Sequence, residues 1–105
     1  MDMTEVRRFD QAEVGTIKLS EAIRIGAAVR PQCSQAFFAD GRSCAIGAAY
    51  EGLYGYTTTG YIDMDRMYRA FPCVPGNVWL GIVTRNDCGK QTRESIAGWL
   101  EGMGL

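Results

Sequence analysis

From Ile17 onward the apolar positions recur at helical rather than strand spacing. Ala22, Ile23, Gly26 and Ala27 fall on one face, and Arg30 follows one turn on. Ser20 is the expected N-cap of this first helix, Glu21 sits where the helix dipole favours an acid, and Pro31 is the expected stop. Residues 31–41 read as a connection that carries Phe37, Phe38 and an Asp40-Gly41 turn. A second helix is predicted with Ser43 as its cap, Cys44 in its first turn and Gly55 as its C′ residue. Residues 55–62 are β-branched and aromatic between glycines, which predicts an extended segment, short hairpin or long loop.

Beyond that, Asp63 caps a short predicted helix, Met64 to Phe71, that stops before Pro72. Asn77 is the expected cap of the next, with Trp79, Leu80, Ile82 and Val83 as its apolar positions. Residues 86–91 form a polar turn, and Thr92 caps a last helix whose stripe is Ile96, Trp99, Leu100 and Met103. Residues 1–16 carry mixed charge without a sustained period and read as an N-terminal arm; 17–105 read as one helical domain. The fold class that follows is mainly α: a compact bundle of about five short helices, with one short extended segment or hairpin near 55–62.

Glycine recurs inside four of these helices, as Gly26, Gly47, Gly52, Gly81 and Gly98. At roughly 0.8–1 kcal/mol each relative to alanine, five such residues cost about 4–5 kcal/mol. That is a large share of the ~5–15 kcal/mol by which a domain is stable. Close approach of helix to helix, where a side chain would clash, is the expected compensation.

Composition narrows the function. The chain has 105 residues, 47% of them hydrophobic and 22% charged, as in an ordinary globular domain. Its net charge of −1 lacks the basic footprint of a nucleic-acid or anionic-membrane binder. No apolar run approaches the ~18 residues of a membrane span, and the charged first residues do not form a secretory signal. The expected location is the cytosol. Cys33, Cys44, Cys73 and Cys88 are scattered without a Cys-x-x-Cys pair, and there is no histidine. Neither a metal nor any other cofactor is expected, and the cysteines read as free thiols.

Three segments bear on chemistry. Cys44, beside Arg42 at a predicted helix start, has the surroundings that stabilise a thiolate and is the candidate reactive thiol. With no histidine to act as base, no catalytic residue is assigned, and a small buried residue is the favoured reading. Asn86-Asp87-Cys88-Gly89 resembles part of a calcium loop, but Thr84 and Ser95 would fall at its first and twelfth positions, so calcium is rejected. Residues 77–102 have the outline of a helix-turn-helix, yet Arg85, Lys90 and Arg93 are balanced by Asp87, Glu94 and Glu101. Nucleic acid is therefore the second reading. The first is a protein partner or self-association through a tyrosine-rich stretch, since Tyr50, Tyr54, Tyr56, Tyr61 and Tyr68 all fall between 50 and 68.

Leu-Ser-Glu-Ala-Ile-Arg-Ile-Gly-Ala (19–27) followed by Ser-Cys-Ala-Ile-Gly-Ala-Ala (43–49) is one notable pairing. Asn-Asp (86–87) followed by Thr-Arg-Glu-Ser-Ile-Ala-Gly-Trp-Leu (92–100) is another. In that order they resemble a group of small uncharacterised bacterial and phage-borne proteins that share a Cys-Ala-(Leu/Ile)-Gly-Ala helix and an Asn-Asp…Thr-x-Glu-x-(Ile/Val) terminus. The likeness covers about 17–101. It implies a helical fold and a bacterial or phage cytosolic setting, without a mechanism.

Overall fold

The computed structural model describes residues 17–57 and 60–105; the predicted arm at 1–16 lies outside the described residues. Among the described residues, five helices and one two-stranded hairpin follow in the order α1 (Leu19–Ala27), β1 (Phe38–Ala39), β2 (Arg42–Ser43), α2 (Ala45–Tyr54), α3 (Met64–Ala70), α4 (Gly76–Asp87) and α5 (Arg93–Glu101). The bundle is mainly α, as its apolar periodicity predicts. The hairpin, however, lies at 38–43, and the described residues between 55 and 62 contain no strand. Phe38 pairs with Ser43 and Ala39 with Arg42. The Asp40-Gly41 turn joins them with both central residues at positive φ, 53° and 72°, as the tight primed hairpin turn requires.

Helix starts at Asp63 and Thr92 are where the sequence places them. Asp63 Oδ1 accepts the Arg66 N–H at 3.2 Å, and Thr92 Oγ1 accepts the Ser95 N–H at 3.0 Å. Three other starts differ. Lys18, not Ser20, precedes α1, and Ser20 is buried with its N–H donated to the Leu105 carbonyl. Ser43 is extended in β2, so the cap of α2 passes to Cys44, whose Sγ accepts the Gly47 N–H at 3.4 Å. Pro75, not Asn77, is the N-cap residue of α4, its φ of −68° already suited to the entry. Nor does Pro31 end the first helix. That helix stops at Ala27, and Arg30 leaves its line to pair with Glu51.

The core gathers around α1 and α2. Leu19, Ala22, Ile23 and Gly26 form the inner face of α1, and Ala45, Ile46, Ala48 and Ala49 that of α2. The two backbones touch. A methyl added at Gly26 would overlap the Ala48 carbonyl, and one at Gly52 would overlap the Ala22 carbonyl. Gly47 likewise admits the Phe37 carbonyl, while a Cβ at Gly81 would stand 2.8 Å from the Trp99 ring. Four of the five helical glycines thus mark close approaches; Gly98 has nothing within 4 Å of an added methyl.

Around this pair α5 contributes Ile96, Ala97 and Leu100, α3 contributes Met67 and Ala70, and α4 contributes Val78, Trp79 and Ile82. Met103, expected in the buried stripe of α5, lies in the turn beyond it and is exposed, as are Leu80 and Val83 on the outer side of α4. Arg24 of α1 bridges Glu94 and Glu101 of α5 at 2.9 Å each, on the surface where such pairs contribute little.

Candidate interaction surface

The tyrosines do not form one patch. Tyr50 and Tyr54, on successive turns of α2, pack at 4.8 Å between ring centroids and are half-buried against the core. The Arg66 guanidinium lies over the Tyr54 ring at 3.8 Å. Tyr68 stands edge-on to Trp79 at 5.5 Å, half of its surface taken up by that contact and its helix. Tyr56 and Tyr61, in the connection between α2 and α3, are each 68% exposed and are the members that present most area outward.

Tyr56 nonetheless has a fixed seat. Its ring lies 4.6 Å from the Arg30 guanidinium carbon, which also faces Phe38 at 5.1 Å. Arg30 is held in turn by Glu51, donating from Nε at 2.9 Å and from Nη2 at 2.7 Å. The Glu51 side chain is fully buried, and its Oε2 also accepts the Thr57 N–H at 2.9 Å, while Arg30 donates to the Thr57 carbonyl. This carboxylate hydrogen bond raises the Arg30 pKa above its ordinary value despite partial burial. A bidentate ion pair between Arg30, beyond the end of α1, and Glu51 of α2 therefore fixes both the backbone at Thr57 and the ring beside it.

Sequence reasoning passed over this pair. The available signal was Glu51 itself, the single charge in the otherwise uncharged helical run Ala-Ile-Gly-Ala-Ala-Tyr-Glu-Gly-Leu-Tyr. A lone charge in such a run needs a buried partner.

Asn86 was also missed, because residues 86–91 read as a solvated turn. It is buried near the end of α4 and satisfies all four of its side-chain bonding positions. Its Oδ1 accepts from Gln32 Nε2 at 2.9 Å and from the Ala45 N–H at 3.0 Å. Its Nδ2 donates to the Cys33 carbonyl and to Asp87 Oδ1, both at 2.9 Å. One amide side chain thus secures the first residue of α2, the 32–35 connection and α4.

Cys44 sits beside this hub, 7% exposed, with burial pushing its thiol from 9.0 up to about 11. The helix amides at Gly47 and Ile46 act in the opposite direction but do not offset the loss of solvent. Arg42, its expected activating neighbour, is exposed in β2. At neutral pH such a thiol is protonated, the state that suits a core residue rather than a nucleophile.

Two of the three cations of the 77–102 unit are placed for packing, and Lys90 is exposed. Arg93 is buried, donating to Ser43 Oγ at 2.9 Å and to the Arg30 carbonyl at 2.8 Å, and loss of solvent lowers its pKa. Arg85 lies 3.8 Å over the Trp99 ring. Neither faces outward to meet a phosphate. Among the described residues no group of three or more cysteines and carboxylates could hold a metal, and no helix is long and apolar enough to cross a membrane.

No family model matches the chain, and none of the curated proteins or solved structures matches it either.

Proposed function

We propose that this chain is a small protein-interaction module, engaging another protein or a second copy of itself through Tyr56 and Tyr61. The observation that carries the reading is an exposed tyrosine ring held in place by a buried ion pair, Tyr56 on Arg30 and Arg30 on Glu51. Interface hot spots favour large amphipathic rings, and a ring already fixed before contact loses little further freedom when a partner arrives. Tyr61, in the same connection, extends the aromatic area. Tyr50 and Tyr54 pack on each other against the core, and Tyr68 packs on Trp79, so these three present less area to a partner. Four free thiols fit a reducing compartment, and we place the protein in the cytosol.

Sedimentation velocity of the purified chain, together with capture from an extract of the native host, tests this. Tyr56→Ala and Tyr61→Ala are expected to weaken association by about tenfold or more while moving stability by less than about 0.5 kcal/mol. Tyr54→Ala should instead lower stability. Unchanged sedimentation and unchanged capture in both exposed-tyrosine variants would overturn the proposal.

A further inference from the structure

A cavity of about 330 Å³ opens between the 35–37 loop, the start of α2 and the C-terminal half of α4. It shares no residue with the tyrosine face. Its walls are Phe37, Ile46, Ile82 and Val83, and Cys44 and Ala45 line it at the entry to α2. Asp87 is the single charged residue among those that line it. This size lies at the lower end of the range for small-molecule sites, and an apolar body with one polar anchor is their usual composition.

The carboxylate is arranged to be used. Asp87 Oδ1 accepts the Gln35 N–H at 2.8 Å and Asn86 Nδ2 at 2.9 Å, two neutral donors on the same oxygen. Among the described residues no cation pairs with Asp87, and Oδ2 accepts no hydrogen bond. The bond to Gln35 also holds that residue at φ 67°, a conformation that a side-chain-bearing residue adopts only when its surroundings impose it. On the other side of the loop, the Cys44 N–H donates to the Phe37 carbonyl at 3.0 Å, over the space that Gly47 leaves. The loop wall is therefore fixed by the protein's own hydrogen bonds.

We propose that this cavity binds a small amphipathic cation, with its apolar body against Phe37, Ile46, Ile82 and Val83 and its ammonium group on Asp87 Oδ2. Charge complementarity selects the occupant. A neutral apolar molecule would offer Asp87 Oδ2 no donor, and an anion would be repelled by the carboxylate. A cation whose apolar part fills the cavity meets both demands.

The test is a titration of the full chain, followed by amide chemical shifts, with three probes of one shape: 2-phenylethylammonium, 2-phenylethanol and 3-phenylpropionate. The ammonium probe is expected to bind with a Kd of about 1 mM or tighter, shifting amides at 35–37, 44–46 and 82–87. The alcohol should bind about tenfold more weakly and the carboxylate not at all. Asp87→Asn should reduce the ammonium probe to the affinity of the alcohol. Val83→Phe, at a partly exposed wall position, should exclude all three by filling the cavity. Equal binding of amine and alcohol would overturn the proposal, as would shifts that fall elsewhere or a lack of response up to about 5 mM. The probe series decides the matter even if Asp87→Asn fails to fold.

Discussion

The inner face of α2 and residues 55–57, which leave its C-terminal end, achieve order by opposite means. Along the inner face, order comes from what is missing: Gly26 and Gly52 lack the methyl groups that would hold the α1 and α2 backbones apart. At these two glycines the separation of the helices is set by hard contact. At Tyr56 and Thr57, order comes from a single charged pair, Arg30 and Glu51, that ties down the Thr57 backbone and carries the Tyr56 ring. The first arrangement tolerates no added atom and the second no lost charge. Exposed aromatic area can be carried by the second because its fixing forces lie beneath the rings.

The largest effect should come from adding a methyl where the backbones meet. Gly26→Ala and Gly52→Ala each place a Cβ on a carbonyl of the facing helix, and a helix backbone cannot step aside as a side-chain tip can. The two helices must separate, opening the packing of Ile23 and Ala49 between them. Each variant is expected to lose about 4 kcal/mol or more, beyond the usual 1–3 kcal/mol of an overpacked side chain. Urea melts measure this, and a loss under about 1 kcal/mol would show that the contact gives way easily.

The connection breaks by a different substitution. Arg30→Met keeps much of the apolar stem but removes the guanidinium that faces Phe38 and Tyr56, and leaves the fully buried Glu51 carboxylate without its cation. The expected loss is about 3 kcal/mol, at the lower end for a broken buried pair because Arg30 is itself 12% exposed. Tyr56 should lose its fixed position in the same variant, read as line broadening or altered shifts of its ring. A stable variant with an unmoved Tyr56 ring would show that the pair neither stabilises the connection nor seats the aromatic.

These two regions were unequally legible in the sequence. The glycines at 26, 47, 52 and 81 announce close approach because glycine is costly inside a helix unless space demands it. Which backbone meets which is a matter of helix crossing, and periodicity holds no information about that. The cap positions show a similar limit. Ser43 has the side chain of a cap, yet its hydroxyl is taken by Arg93, fifty residues later in the chain, and the cap shifts to Cys44. Asn86 looked like a turn residue because its four partners come from Gln32, Cys33, Ala45 and Asp87, contacts mostly distant in sequence. Local pattern finds faces, stops and small-residue contacts. Polar groups that are buried by long-range closure escape it.

Cys44, at the other end of α2, gives the next largest effect and a test of burial by pH. Its folded thiol is held near 11, above the ordinary 9.0 that the unfolded chain would show. Below pH 9 both states keep the proton, so the native state has its full stability. Between about pH 9 and 11 the unfolded state releases the proton first, and stability falls as pH rises, by at most about 2–3 kcal/mol from this group. Cys44→Ala should flatten that part of the slope, leaving the smaller contribution of Cys33, whose thiol burial also raises. Thiol titration at pH 7 should label the exposed Cys73 and Cys88 well before Cys44. Fast labelling of Cys44 in the folded protein would mean that the start of α2 opens to solvent.

The smallest effect sharpens the comparison most, because it repeats the first substitution with the opposite sign. Gly98 lies within α5, exposed, and an added Cβ would meet nothing within 4 Å. Without a contact to relieve, its only influence is on the unfolded chain, whose extra backbone freedom must be given up on folding. Gly98→Ala should therefore raise stability by about 0.5–1 kcal/mol, while the same change at Gly26 or Gly52 is severely destabilising. If Gly98→Ala destabilised the protein instead, α5 would have a close neighbour at that face, and proximity would no longer separate the glycines that hold this fold from the one it merely tolerates.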